Sequence, residues 1–213
     1  DLVPDGRRVF TYRQILEAQN APKSMIVIGA GAIGMEFAYV FHAYGTQVTV
    51  LEVLPRILPN EDEEVSAEVK KSFQRAGIQT LAGVKIESAV ASPENVTLKV
   101  NDAGTVTTMT ADWLLISAGV IPNTSGLGLE TVGVTLDKRG MVNVDDHMAT
   151  NVPGIYAIGD ITGKLALAHV ASAQGVIAAE SIAASLGQYK GRINRLDYNA
   201  MPRCTYTVPQ VAS

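Results

Sequence analysis

Met25-Ile26-Val27-Ile28-Gly29-Ala30-Gly31-Ala32-Ile33-Gly34-Met35-Glu36, closed further on by Val48-Thr49-Val50-Leu51-Glu52, decides the fold. Residues 25–28 form a short, wholly apolar run ending at a glycine, as suits a strand buried on both faces of a parallel sheet. Gly29, Gly31 and Gly34 then stand as G-x-G-x-x-G at a strand-to-helix turn. Gly29 permits the tight turn, Gly31 lets the backbone approach a pyrophosphate, and Gly34 lets the helix pack on the strand. The spacing predicts a helix over 32–44, its N-terminal N–H groups and positive dipole end facing the turn, with Gly45 stopping it. Residues 48–51 supply a second strand. Glu52 ends it about twenty residues after the glycines, where a ribose-binding acid belongs. An acid there favours NAD, because its carboxylate accepts from both ribose hydroxyls and repels a 2′-phosphate. Arg56, close behind, is a residue type that accepts such a phosphate, or else a solvated side chain in a turn.

The 213 residues have room for one large domain or two modest ones with a substantial core. A 47% hydrophobic and 18% charged composition is that of an ordinary α/β protein. The net charge of −4, with no basic cluster, argues against a nucleic-acid partner. No apolar run is long enough to span a bilayer, which argues against a membrane role, and the opening Asp-Leu-Val-Pro-Asp-Gly-Arg-Arg is no signal peptide. One cysteine, Cys204, excludes an internal disulfide and suits a reducing compartment. The expected location is the cytoplasm, with an organelle matrix or stroma as the alternative.

Before the glycine-rich strand, residues 11–18 read as a short amphipathic segment beginning at Thr11 or Tyr12, and residues 1–20 as part of another domain. After Glu52 comes a proline-punctuated loop, then a helix over 61–76 whose acids crowd the first turn and whose Lys70, Lys71 and Arg75 sit near its end, as the macrodipole prefers. The run Glu61-Asp62-Glu63-Glu64 lacks the ligand spacing of a calcium loop and reads as a solvated helix start. Gly77 ends the helix, and a strand follows at 78–81. Residues 85–90, 96–100 and 105–109 are short and β-branched with turns between them, an antiparallel meander standing where a second crossover helix belongs. Residues 113–116 return as an apolar strand. Beyond it, 141–144 and 155–158 read as strands, 167–186 as an alanine-rich helix stopped by Gly187, 188–197 as a polar linker, and 205–208 as the start of a strand.

These residues together resemble the flavoprotein disulfide reductases (the class I pyridine nucleotide-disulfide oxidoreductases), most closely their dihydrolipoamide dehydrogenase branch. Pro22-Lys23-Ser24-Met25 with the glycine run through Glu36 is similar to the family's NAD motif, which assigns nucleotide contacts to Gly29, Ala30, Gly31, Ala32, Ile33 and Gly34 and the nicotinamide end to Glu36. The resemblance adds Ile86, and Gly119 in Ser117-Ala118-Gly119 through Pro122-Asn123-Thr124, a crossover motif in which the glycine lies against NAD. The family often carries arginine next, and here the residue is Val120. Thr150 through Asp160 resembles the second FAD motif, whose aspartate bonds the flavin ribityl chain, and Leu167-Ala168-His169 resembles the start of the helix aimed at the flavin ring, with backbone N–H groups near Ala168. His42, His147 and His169 read as surface or packing residues, and Cys204 as a strand residue in a segment resembling the entry to the interface domain.

The resemblance implies an α/β fold: a Rossmann-like NAD-binding domain with an antiparallel β-meander over 21–123, plus an incomplete second FAD-binding domain. Residues 1–20 and 124–190 would be parts of that FAD-binding domain. Residues 191–213 would be a linker and the start of an interface (dimerisation) domain. The implied cofactors are NAD and FAD. The implied activity is oxidation of dihydrolipoamide, carried on the lipoyl domain of a 2-oxo acid dehydrogenase or related complex, by an enzyme that is a homodimer when intact. The family's redox-active cysteine pair and His-Glu acid–base pair fall outside the matching motifs. The chain therefore reads as a central portion, expected to bind NAD but not to turn over, with no catalytic or metal-ligating residue assigned. A fragment of a related NADH oxidase, mercuric reductase or transhydrogenase, or a non-catalytic dinucleotide-binding module, is the alternative.

Overall fold

A computed structural model describes residues 2–213, which fall into two compact units: 2–119 with 204–213, and 120–203. The first is built on a five-stranded, all-parallel sheet. Its strands are β1 (Val9–Thr11), β2 (Ser24–Ile28), β3 (Gln47–Glu52), β4 (Gln79–Ala82) and β8 (Trp113–Ile116), ordered β1-β8-β2-β3-β4. A short helix α1 (Tyr12–Ile15) follows β1, capped by Thr11 in a reciprocal box with Gln14. Helix α2 (Ala32–Ala43) joins β2 to β3, and α3 (Glu63–Ala76) joins β3 to β4. Asp62 caps α3 by accepting from Glu64 N–H at 2.8 Å, so Glu61 and Asp62 lie outside the helix proper, and Gly77 at φ +92° ends it.

Alternation along the strands divides the core in two. Met25 and Val27 of β2, with Val48, Val50 and Leu115, pack under Met35, Ala38, Phe41, Val69 and Phe73 of the two helices. Ile26, Leu51, Val9 and Leu114 point the other way, onto the meander β5 (Lys85–Ala91), β6 (Val96–Asp102) and β7 (Thr105–Ala111). Val96, Leu98 and Val100 alternate inward from the middle strand β6, each at 0% exposure. The three-stranded sheet thus covers the face that a crossover helix would otherwise bury, and the parallel sheet is covered on both sides.

The opening residues differ from expectation. Assigned by sequence to an FAD-binding portion, they contribute β1 to this parallel sheet, in register with β8 from Val9–Leu114 to Thr11–Ile116. Asp5 turns the chain into β1 by accepting from the N–H groups of Arg7, Arg8 and Val9. Burial pushes its carboxyl pKa upward, but those backbone donors prevail and hold it below the usual value. The terminal residues also group with this unit. Here β9 (Cys204–Thr205) pairs antiparallel with β10 (Val211–Ala212), Val211 packs against the helix-side core, and Ser72 Oγ donates to the Val208 carbonyl at 2.8 Å.

In the second unit, α4 (Ala168–Ser185) is the one long element among the described residues. The strands expected at 141–144 and 155–158 do not form. Those runs make only single bridges, Leu136 with Val142 and Ala149 with Tyr156. The reason is local. Asp137 takes the N–H groups of Arg139 and Met141, and Asp145 those of His147 and Ala149, so the backbone closes into turns instead of offering a ladder edge.

Leu98 makes the meander's role testable. Leu98→Ala should destabilise the protein by about 2–5 kcal/mol in urea unfolding, whereas Val90→Ala, at 64% exposure, should change it little. A loss for Leu98→Ala no larger than that for Val90→Ala would mean the meander is not part of the core.

Candidate functional site

The glycine-rich turn leaves the carboxyl end of β2, between its neighbours β3 and β8. Gly29 sits at φ +99°, and its N–H donates to the Leu51 carbonyl at 2.8 Å. A Cβ on Gly29 would lie 2.6 Å from the Ser117 carbonyl oxygen, so both the backbone angle and the space require glycine. Gly34 is more crowded. A Cβ there would collide with the Gly29 carbonyl oxygen and come within 2.6 Å of Ser117 Oγ. The first turn of α2 therefore rests directly on the end of β2. Gly31 is the opposite case, since a Cβ there meets no protein atom within 4 Å. It caps α2 with no side-chain hydrogen bond, which leaves the helix's first N–H groups, at Ala32 and Ile33, without a side-chain acceptor from the cap. The flank of Gly31 is thus open, and the donors beside it suit an anion.

Glu52, at the end of β3, is 6% exposed. One carboxylate oxygen accepts from Ala30 N–H at 2.7 Å and the other from Leu54 N–H at 2.9 Å. A carboxylate has about four acceptor positions, so two remain for hydroxyl groups. Arg56 does not face the open flank with a free guanidinium. Nη1 is 2.6 Å from Glu63 Oε1, and Nη2 donates to the carbonyls of Pro59 (3.1 Å) and Glu61 (3.0 Å).

The other assigned residues are spread more widely. Glu36 lies further along α2 and accepts from Tyr206 N–H at 2.8 Å. Gly119, at φ +136°, is exposed just beyond Ser117. Ile86 lies on β5 beside a bulge and packs against the meander-side core, two residues after Val84, whose N–H donates to the Glu52 carbonyl. Asp160 and Ala168 belong to the second unit. Asp160 opens a 3₁₀ turn (Asp160–Thr162) and is exposed, while Ala168 is exposed at the start of α4, whose cap Leu167 makes no side-chain bond.

Three contacts escaped the sequence reading. Ser117 Oγ donates to the carbonyls of Ile28 (2.9 Å) and Gly29 (3.0 Å), tying β8 to the turn. The Leu58 N–H donates to the Ala30 carbonyl at 2.7 Å. Gln174, fully buried in α4, accepts from Gly159 N–H at 2.6 Å and donates to Tyr198 at 3.0 Å, which holds the turn before Asp160. Gln174 had a signal, a long amide in a run of small and apolar residues from Val170 to Ala179. The backbone donor at Leu58 had none.

A family profile described as pyridine nucleotide-disulphide oxidoreductase matches residues 2–175. The chain belongs to that family. Among its relatives is the dihydrolipoyl dehydrogenase of Mycobacterium leprae, 47% identical over 205 residues, which are 96% of this chain and 43% of that protein. The dihydrolipoyl dehydrogenase of Corynebacterium glutamicum is 48% identical over 210 residues, 98% of this chain and 44% of that one. The crystal structure of LpdA from Mycobacterium tuberculosis superposes with a TM-score of 0.86 at 33% identity, over 98% of this chain and 44% of that one. The chain thus spans less than half the length of these relatives. Oxidoreductases of the dihydrolipoyl dehydrogenase type use FAD and NAD. No helix among the described residues is long and apolar enough to cross a membrane.

The glycines divide into structural and open positions, and two substitutions separate them. Gly31→Ala should leave the melting temperature close to that of the parent protein. Gly34→Ala should destabilise by at least about 1–3 kcal/mol, the usual cost of overpacking, although alanine is the better helix former. Equal stability of the two variants would mean that α2 does not rest on the Gly29 carbonyl.

Proposed function

We propose that the first unit is the NAD-binding portion of an FAD-dependent oxidoreductase of the dihydrolipoyl dehydrogenase type, acting on dihydrolipoamide. The observation that carries the reading is the open flank of Gly31 beside the Ala32 and Ile33 N–H groups, with Glu52 anchored across the same turn. The pyrophosphate would sit against Gly29, Ala30, Gly31 and the first turn of α2, where N–H donors and the helix dipole favour its charge. Glu52, already oriented by two backbone donors, would accept from the adenosine ribose hydroxyls. Glu36, Ile86 and Gly119 would line the remainder of the NAD path. NAD is preferred over NADP because a buried carboxylate repels a 2′-phosphate and the nearby guanidinium is already engaged.

In the second unit, Asp160 would accept from the ribityl hydroxyls of FAD, and the N–H groups near Ala168 would face the flavin ring edge. Gln174 supports this by fixing the turn before Asp160. Flavin supplies two-electron exchange between a dithiol and a nicotinamide; this chain's residues hold and orient the two cofactors. The lipoyl domain of a 2-oxo acid dehydrogenase complex is the proposed substrate carrier, a homodimer the proposed assembly of the full-length protein, and the cytoplasm its compartment. Kinship with the bacterial dihydrolipoyl dehydrogenases favours these assignments. A second reading, another flavoprotein disulfide reductase, draws on the likeness to RclA of Escherichia coli, whose TM-score is 0.84 at 25% identity.

Titration with NADH and NADPH tests the nucleotide assignment. NADH should bind at least roughly tenfold more tightly, the worth of about 1.4 kcal/mol, and Glu52→Ala should narrow the gap. Equal or tighter binding of NADPH by the parent protein would sink the assignment. The 213 residues alone should not reduce NAD with dihydrolipoamide even with FAD in excess, because one cysteine cannot form the intramolecular disulfide that thiol exchange requires. Turnover abolished by Cys204→Ser would contradict this.

A further inference from the structure

The loop of residues 53–62 after the ribose-side acid is bonded to the turn near its start and at its middle. Its Leu54 N–H donates to Glu52 Oε1, and its Leu58 N–H donates to the Ala30 carbonyl at 2.7 Å, while Ala30 N–H donates to Glu52 Oε2. Residue Ala30 is thus held through both of its flanking peptides, the Gly29–Ala30 N–H by the acid and the Ala30–Gly31 carbonyl by the loop. The peptide held by Leu58 leads directly into Gly31, so its orientation sets where the Gly31 backbone and the first N–H groups of α2 point.

Leu58 holds this position at a cost. It is 2% exposed and adopts φ +44°, a left-handed conformation that a γ-branched residue rarely takes. Such a conformation persists only when the surroundings over-determine it. Two contacts act on Leu58 directly, since its carbonyl accepts from Ser66 Oγ at 3.1 Å and from Glu61 N–H at 3.0 Å. The third constraint is Arg56. Its guanidinium joins Glu63 Oε1 at the start of α3 to the carbonyls of Pro59 and Glu61, closing the loop on both sides of Leu58. A planar guanidinium supplies these three bonds in one fixed fork, which an ammonium does not.

We infer that Arg56 is a positioning residue for the dinucleotide turn, acting through Leu58 and Ala30, and not a receptor for a 2′-phosphate. The inference rests on the NAD-binding reading above. It takes a different consequence from Arg56 than charge alone suggests. A phosphate receptor contributes to NADPH only, whereas a brace behind the pyrophosphate turn contributes to NADH and NADPH alike, because both place the same diphosphate there.

Calorimetric titration of the full 213-residue chain with NADH and with NADPH, together with amide hydrogen exchange of the unliganded protein, tests this. Arg56→Ala should weaken both nucleotides by the same factor, roughly three- to tenfold, the net worth of about one hydrogen bond. Exchange of the amides at 30–34 and 58 should accelerate, while the meander amides at 96–102 keep their rates. Arg56→Lys should recover part of the affinity by keeping the Glu63 contact. Glu63→Gln, at an 84% exposed side chain that does not threaten folding, should shift both affinities in the same direction by less. A selective loss of NADPH in Arg56→Ala would overturn the inference, as would unchanged affinities, or faster exchange at 96–102 as well as at 30–34. If the parent protein binds neither nucleotide, the NAD-binding reading falls instead, and the exchange rates at 30–34 and 58 still decide whether Arg56 braces the turn.

Discussion

The first unit depends on the approach of α2 to the end of β2. Gly34 lies so close to the Gly29 carbonyl that no side chain fits between them, and Ser117 Oγ donates to the Ile28 and Gly29 carbonyls at that strand end. This contact fixes the axis of α2 relative to the sheet. It also aims the helix's first N–H groups past Gly31 into open space. A larger residue at 34 would push the helix outward and carry those donors away from the turn. The spacing of the three glycines is therefore one mechanical requirement: a turn at 29, clearance at 31 and contact at 34.

The rest of the unit keeps that contact in place. Helices α2 and α3 bury one face of the parallel sheet, and β6 buries the other with Val96, Leu98 and Val100. With both faces covered, the strand ends stay in register, and β3 delivers Glu52 to the same edge as the turn. Its carboxylate can sit there at 6% exposure because two backbone N–H groups satisfy it. The same two bonds orient it and leave acceptor capacity unspent. An acid meant only to cap the turn would need no more than this; the open flank beside it is what favours a ligand.

Much of this architecture was legible in the chain itself. The apolar run at 25–28, the glycine spacing and the terminal acid specify strand, turn, helix and strand because each rests on a local rule of sterics or periodicity. The change to short alternating runs after residue 84 marked the meander for the same reason. The misreadings came where local pattern was overridden. Residues 141–144 and 155–158 carry strand-like composition, but Asp137 and Asp145 draw the neighbouring N–H groups into turns. Residues 9–11 looked detached from the domain because nothing in their own sequence announces pairing with β8, a hundred residues away. At the candidate site, the residues with motif spacing, Gly29, Gly31, Gly34 and Glu52, come together around one turn. The grip of Leu58 on the Ala30 carbonyl stayed hidden, since a backbone donor leaves no mark in residue identity.

A crystal structure of the protein grown with NADH tests the central claim most directly. The account predicts the diphosphate within hydrogen-bonding distance of the N–H groups at residues 31–33 and the adenosine ribose hydroxyls on Glu52, with the Ala30 peptide unmoved. Nucleotide bound elsewhere, or bound here with Glu52 turned away from the ribose, would contradict it.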